Sequence, residues 1–436
     1  MDRVGVEVGL LGLGTVGCGV ARLLEEQSER IARRSGRPIL LKRAAVRDPH
    51  RSRPFELPAD RLTTDPRRVI EDPEISIVVE LMGGTDPTLG YVLDALAAGK
   101  DVVTANKALL AEHGPEVFEQ ARRYGRAVVF EAAVGGGIPI VNALGVSLAA
   151  NQVQGLAAIV NGTCNFILTA MTREGLPYAE ALRQAQALGY AEADPTLDVD
   201  GTDTAHKLAI LAQLAFSASV KTAQIPRSGI DTLQLADLRY AAELGYNVKL
   251  LALARLSEAG LSLRVAPTLV KRGRPLAEVS GPYNAVQVVG DAVGDTLFYG
   301  QGAGMMPTAS AVVGDLIDVV VGRASLTARA LDLWPADAPS PRLASPDQIR
   351  RRNYLRFMIA DRPGVLATIA QILGQHAVSI ASVIQHDPGE DDHPNAPVPL
   401  VLMTHAAAEA STATALAEID LLDVVTARSV CLGVEE

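Results

Sequence analysis

A glycine-marked turn near the amino terminus restricts the fold of this chain more than any other feature. Residues 6–11, VEVGLL, form a largely apolar run, the next six read GLGTVG, and an amphipathic stretch, VARLLEEQSERIARR, begins two residues later. A strand that ends in glycines and passes directly into a helix leaves the first helical amides open to an anion. Gly12 permits the tight turn, Gly14 lets a pyrophosphate approach the backbone, and Gly17 allows the helix to pack closely, with Leu13, Thr15 and Val16 completing the turn. Alone, such a spacing is weak. The strand before it and the helix after it favour dinucleotide binding over a merely tight turn.

The alternation continues beyond this unit. PILLKRAAV, ISIVVELMG, DVVTA and AVVFEAAV read as strands, with TLGYVLDALAAG and EVFEQARRYG as helices between the later ones. Short apolar runs between amphipathic helices predict a parallel sheet covered on both faces, an α/β doubly wound domain over residues 1–140. A chain of 436 residues exceeds one core, so further domains are expected. Residues 141–305 change texture to longer helices and strand-like stretches (GLAAIVNG, LSLRVAPTLV, NAVQVVGDAV, TLFYGQGAG) and predict an α+β domain. The helical stretch at about 306–322 is expected to return to the first sheet. Residues 323–352, rich in Pro, Ala and Ser, read as a linker, and residues 353–436 spell βαββαβ, a ferredoxin-like module.

Composition narrows the function classes. Aromatic residues make up 4% and the net charge is −10, which speaks against a broad nucleic-acid surface. There is no secretory signal and no run of ~18 apolar residues, so no membrane partner is expected and the cytoplasm is the expected location. Cys18, Cys164 and Cys431 lie far apart with no CxxC, which predicts reduced thiols and neither a disulfide framework nor a zinc site.

Several loops then carry candidate chemistry. After the second strand the chain reads AVRDPHRSR: Arg47, with Arg51 nearby, suits a 2′-phosphate, Asp48 suits a ribose hydroxyl, and a solvated basic turn is the plain alternative. MGGTDPT and VVTANKALL follow strand-like runs where crevice loops of such a sheet bind ligands, which marks Lys107 and, in the same stretch, Thr104. Lys107 also reads as an ordinary surface lysine at a helix start. EAAVGGGIPI offers backbone carbonyls suited to a hard cation, but the residues alone favour a flexible hinge.

The stretch ADPTLDVDGTDTAHKLAIL places three aspartates before, and a fourth in the first turn of, a helix over 202–216 that is apolar nearly all round. A calcium loop is rejected, because aligning Gly201 with its sixth position puts Lys207 where a bidentate glutamate is required. Asp203 and Lys207 lie four apart on one face. The plain reading is an i,i+4 pair worth roughly 0.3–0.5 kcal/mol. A buried helix start with one ammonium and one carboxylate, approached by a loop with Glu192, Asp194, Asp198 and Asp200, instead suits a small polar substrate. Beside a nicotinamide it suits alcohol–aldehyde interconversion, with Lys207 carrying the proton and Asp203 orienting it.

Taken together, GLGTVG, VVTANKALL, EAAVGGGIPI, VNGTCNFILTAM, GYAEADPTLDVDGTDTAHKLAIL and QGAGMMPTASAVVGDL, in this order over residues 6–322, resemble the homoserine dehydrogenases. DRPGVLATIAQIL with HAVSIASVIQ resembles the ACT domain, a regulatory amino-acid-binding module that longer bacterial members carry. The resemblance implies a Rossmann-like domain and NAD(P)-dependent interconversion of L-homoserine and L-aspartate 4-semialdehyde, toward threonine and methionine. It implies that Lys207 matches the proton donor, that Glu192, Asp198 and Asp203 match positions contacting the amino acid, and that Lys107 belongs to the nucleotide and substrate crevice. It implies cofactor-side glycines at Gly189 and Gly302, and a monovalent cation such as sodium or potassium at Glu131, Val134, Gly136 and Ile138, which reverses the hinge preference. Cys164 stands where many relatives carry threonine.

These readings predict NADP as cofactor with NAD accepted, a threonine effector at the ACT domain, and a homodimer or higher homo-oligomer through the second domain. Two rivals stay in view: another nicotinamide-dependent amino-aldehyde dehydrogenase, and a catalytically silent amino-acid sensor that kept the fold.

Overall fold

The computed structural model describes residues 4–335, 340–386 and 397–435, so the first three residues, part of the expected linker and parts of the expected C-terminal module lie outside the described residues. The chain divides into two compact units. One comprises residues 1–162, 202–226 and 282–341, the other residues 163–201, 227–281 and 342–436.

In the first unit a six-stranded parallel sheet is built from β1 (Val6–Leu11), β2 (Ile39–Ala45), β3 (Leu62–Thr63), β4 (Ile75–Glu80), β5 (Asp101–Thr104) and β6 (Val128–Val129), in the order β3-β2-β1-β4-β5-β6. That order reverses direction between β1 and β4, the switch point at which open α/β sheets bind their ligands. The helices that join the strands include α1 (Thr15–Glu26), α2 (Ser28–Ser35), α3 (Thr88–Ala97) and α4 (Lys107–Tyr124). β1 buries Val8, Leu10 and Leu11 completely, as a central strand covered on both faces must.

The other long elements of this unit are β7 (Val153–Ile159), α5 (Thr202–Phe216), β8 (Tyr283–Gly290), β9 (Gly294–Gln301), α6 (Met305–Val320) and α7 (Arg323–Leu331). β8 pairs antiparallel with both β7 and β9. The returning helix α6 buries Ala309, Val312, Val313 and Leu316 in one core with Val8, Leu10 and Val20. Its approach to α1 depends on Gly19, where a methyl group would lie 2.8 Å from the Met305 carbonyl. The stretch expected as a linker begins as helix, since α7 covers 323–331.

In the second unit, strands Tyr246–Ser257 and Gly260–Lys271 form an antiparallel hairpin. The C-terminal module has strands Val425–Glu435, Asn353–Ile359, Val398–Thr404 and Ile380–Gln385 in that order, with helices Val365–Gln375 and Glu409–Ile419. Leu355, Phe357, Ile369, Leu373, Leu400, Leu402 and Ile419 form its core. This is the ferredoxin-like βαββαβ arrangement. Among the described residues no single helix is long and apolar enough to cross a membrane.

Candidate active site

The glycine turn lies at the switch point. Gly12 has φ +104°, a region that L side chains rarely adopt, and a methyl group there would lie 2.7 Å from the Leu81 carbonyl. A methyl group on Gly17 would run into the Gly12 carbonyl, whereas nothing lies within 4 Å of the corresponding position on Gly14. Gly14 and Thr15 are exposed at the start of α1, Leu13 is buried beneath them, and Val16 is half-buried. The turn is therefore closed toward the sheet and open toward solvent, which fits a pyrophosphate seated on the α1 amides. Arg47 is exposed two residues past β2. Asp48, its neighbour, uses one carboxylate oxygen to accept the His50 N–H at 2.8 Å.

At the ends of β4 and β5 a buried network joins two crevice loops. Glu80, fully buried, accepts the N–H groups of Met82 (2.7 Å) and Gly83 (3.2 Å) and the Thr104 hydroxyl (2.6 Å). Burial raises its carboxyl above the usual range, opposed by the Thr104 hydroxyl and the two backbone donors. The Thr104 oxygen in turn accepts the Asn106 N–H at 3.0 Å, and Asn106 donates to the Gly84 carbonyl at 2.7 Å. The Asn106 side-chain oxygen accepts the Leu109 N–H at 3.1 Å and so caps α4, whose first residue is Lys107. Thr104 is fully buried with its hydroxyl committed to this network. Replacing Glu80 with leucine would leave the buried Thr104 hydroxyl and two half-buried backbone N–H groups without their acceptor, and the expected loss is about 1–3 kcal/mol of unfolding free energy, read by denaturant titration. An unchanged midpoint would contradict the network's importance.

Asp203, 4% exposed, is the centre of the charged site. Its Oδ2 accepts Lys207 Nζ at 2.8 Å and Asn161 Nδ2 at 2.9 Å, and its Oδ1 lies 2.5 Å from Lys107 Nζ. Lys207 also donates to the Val160 carbonyl at 2.6 Å, so its ammonium is fixed between the end of β7 and the first turns of α5. Burial by itself would raise the Asp203 carboxyl, but the ammonium groups of Lys207 and Lys107 outweigh it and hold the group well below the usual carboxylate range. The side chain of Lys207 is 12% exposed and that of Lys107 41%. The i,i+4 pair read from sequence is thus part of a triad whose third member, the more exposed Lys107, opens α4 at the open end of the parallel sheet.

The EAAVGGGIPI turn lies in the same unit. Gly135 and Gly136 have φ +74° and +55°. A methyl group on Gly136 would run into the Gly302 carbonyl, and one on Gly302 into the Asn284 side chain, so these two glycines let the turn and the start of α6 meet. The Glu131 carboxylate accepts the N–H groups of Val141 (2.9 Å) and Asn142 (2.8 Å), while its own N–H donates to Asp315 at 2.9 Å. Burial pushes the Glu131 carboxyl up to about 7 against those two donors, and burial with the nearby Glu131 pushes Asp315 well above its ordinary value. With the Glu131 carboxylate occupied, backbone carbonyls are the ligands this turn can offer, including those of Val134, Gly136 and the buried Ile138. Among the described residues no group of three or more His, Cys, Asp or Glu side chains is arranged to hold a metal ion.

Gly189, Glu192 and Asp198 belong to the second unit. Gly189, with φ +76°, and Glu192 are exposed after helix Tyr178–Ala187, and Asp198 is half-buried in the short helix Thr196–Val199. Cys164 is fully buried and donates to the Asp198 carbonyl at 3.2 Å, as a small packing residue would.

Glu80, Asn161 and Asp315 are partners that inspection of the sequence did not single out. Glu80 carried a signal, a carboxylate at the end of the apolar run ISIVVE; Asn161 and Asp315 carried none beyond their place in a motif or an apolar helix.

A parallel sheet in the 3-2-1-4-5-6 order, a glycine cradle at its switch point and a lysine–carboxylate centre at its open end define a nicotinamide-dinucleotide-dependent oxidoreductase. Residues 12–131 match the NAD-binding domain of homoserine dehydrogenase, residues 139–317 match homoserine dehydrogenase itself, and residues 353–420 match the ACT domain. A homoserine dehydrogenase of Pseudomonas aeruginosa is 46% identical over 99% of each chain, and one of Neisseria gonorrhoeae is 44% identical over 96% of each. The crystal structure of a homoserine dehydrogenase from Thiobacillus denitrificans superimposes with a TM-score of 0.89 at 44% identity, covering 99% of both chains. The chain belongs to the homoserine dehydrogenase family: it interconverts L-homoserine and L-aspartate 4-semialdehyde with a nicotinamide cofactor, and it carries a C-terminal ACT domain.

Proposed function

We propose that Lys207 is the proton carrier of this reaction and Asp203 its orienting partner. The observation that carries the reading is the Lys107–Asp203–Lys207 triad around the buried Asp203 carboxylate at the open end of the parallel sheet. The bound nicotinamide supplies the hydride acceptor in oxidation and the hydride donor in reduction. In oxidation Lys207 takes the hydroxyl proton as the carbinol C–H bond gives up its hydride; in reduction the Lys207 ammonium polarises the aldehyde oxygen and returns the proton to it. The Val160 carbonyl and Asp203 hold Nζ in one place throughout. Lys107 contributes positive charge where cofactor and substrate meet, and Glu192 and Asp198 receive the substrate ammonium.

Gly12, Leu13, Gly14, Thr15, Val16 and Gly17 would hold the dinucleotide, with Gly189 and Gly302 on the cofactor side and Thr104 fixing the β5 end of the crevice. NADP is the preferred cofactor and NAD is accepted: Arg47 is exposed where the ribose would end, and Asp48 is engaged by the His50 amide. Glu131, Val134, Gly136 and Ile138 would hold a sodium or potassium ion, with backbone carbonyls as the oxygen ligands. Residues 1–140 with the helix at 306–322 bind the cofactor, residues 141–305 bind substrate and form a homodimer or higher homo-oligomer, residues 323–352 connect, and residues 353–436 bind threonine as effector. The enzyme works in the cytoplasm.

The test is the initial rate of homoserine oxidation with NADP+ and NAD+ separately, with and without threonine. A lower KM for NADP+ and a slower rate with threonine are expected. Equal KM values would remove the cofactor preference, and a rate indifferent to threonine would remove the effector assignment.

A further inference from the structure

Arg53 touches neither the triad nor the glycine cradle's open side, yet its guanidinium joins two segments of the cofactor site. Its Nε donates to the Leu13 carbonyl at 3.2 Å, inside the GLGTVG turn. Its Nη1 donates to the Arg51 carbonyl at 2.8 Å and its Nη2 to the Asp48 carbonyl at 2.5 Å, both in the loop that follows β2. One rigid, planar fork therefore bridges three main-chain carbonyls, a task that the single point charge of a lysine does not perform. The same two segments meet again at Cys18, whose sulfur lies 3.6 Å from both the Leu13 and the Phe55 carbonyls.

We infer that Arg53 is a positioning residue for cofactor selection: it clamps the Arg47–Arg51 loop against the glycine turn so that the loop's basic side chains are held at the distance of a 2′-phosphate from a bound pyrophosphate. All three of its contacts are to backbone oxygens, so it acts through the loop rather than on the ligand. Arg47 and Arg51 are exposed at that loop, and long exposed side chains lose entropy when they are fixed on a ligand. A loop already held in place limits that cost to the side chains themselves. The pyrophosphate depends on the helix amides of α1 and on the glycines, which the clamp contacts at one carbonyl only. Loosening it should therefore weaken ligands that carry the 2′-phosphate more than those that lack it. The inference deepens the NADP reading and rests on it.

The experiment measures dissociation constants of the full-length protein for NADP+, NAD+ and adenosine 2′,5′-bisphosphate by calorimetry, in the wild type, Arg53→Met and Arg53→Lys. Both variants are expected to weaken NADP+ and the bisphosphate roughly tenfold while NAD+ changes less than about threefold. Arg53→Lys keeps the charge and loses the fork, and it carries the test should Arg53→Met fail to fold. Equal weakening of NADP+ and NAD+, or an Arg53→Lys protein that binds like the wild type, overturns the clamp. A wild-type protein that binds NAD+ as tightly as NADP+ and does not bind the bisphosphate overturns the NADP reading itself, and this is seen before any variant is compared.

Discussion

Replacing Lys207 with alanine is expected to lower turnover by roughly 10²–10⁴, the usual weight of a positioned acid or base, while NADP+ binding is retained. The separation follows from where the groups lie. The glycine turn packs against the Leu81 carbonyl, donates from its Gly12 N–H to the Ala45 carbonyl at the end of β2 and is held at Leu13 by Arg53, whereas the Lys207 ammonium is fixed by Val160 and Asp203. Truncation removes the proton carrier and leaves the Asp203 carboxylate beside Lys107 and Asn161, so the carboxylate keeps compensating partners and the helix should survive. The checks are kcat for homoserine oxidation and the dissociation constant for NADP+. Unchanged turnover would remove Lys207 from the chemistry.

Asp203→Asn is expected to have the larger effect on the fold. An amide cannot neutralise two ammonium groups, and breaking a buried pair by removing one partner costs about 3–5 kcal/mol because charge is left uncompensated. Most of this comes from the Lys207 arm, since the Lys107 side chain is 41% exposed and water screens it. Turnover should fall as well, because nothing then holds the Lys207 ammonium at its place. The pH dependence has a definite sign. The folded-state carboxyl of Asp203 lies below its ordinary value of 3.8, so its stabilisation is present above that value and is lost as pH falls below it. The stability difference between wild type and variant should accordingly be full near neutrality and shrink in acid, as read by denaturant unfolding at several pH values. A constant difference would mean that the loss arises from packing instead of charge.

The site was legible in the sequence wherever its signal was local. Asp203 and Lys207 share a helix face by spacing alone, and the glycine turn announces itself between a strand and a helix. Lys107 was visible only as a lysine in a crevice loop, and nothing in its neighbourhood named Asp203 as its partner. Thr104 was read as a cofactor-side residue, yet its hydroxyl serves Glu80 and Asn106. Arg53 stood in the motif AVRDPHRSR beside the arginines that were singled out, and its place in the turn gives no hint that it reaches Leu13, 40 residues earlier.

The sequence by itself determined which segments become strands, helices and tight turns, because backbone periodicity and the left-handed conformations open to glycine are settled within a few residues. The alternation implies a parallel sheet, but its order, β3-β2-β1-β4-β5-β6, was decided by the tertiary structure. Only the tertiary structure decided which charges meet: Asp203 between two lysines and an asparagine, Glu80 beneath two loops, Arg53 across two segments of the cofactor site. Apart from the Asp203–Lys207 pair, those meetings join distant positions, 42 apart for Asn161 and Asp203, 24 for Glu80 and Thr104 and 40 for Arg53 and Leu13, and burial strengthens the coupling by removing the water that would otherwise screen it.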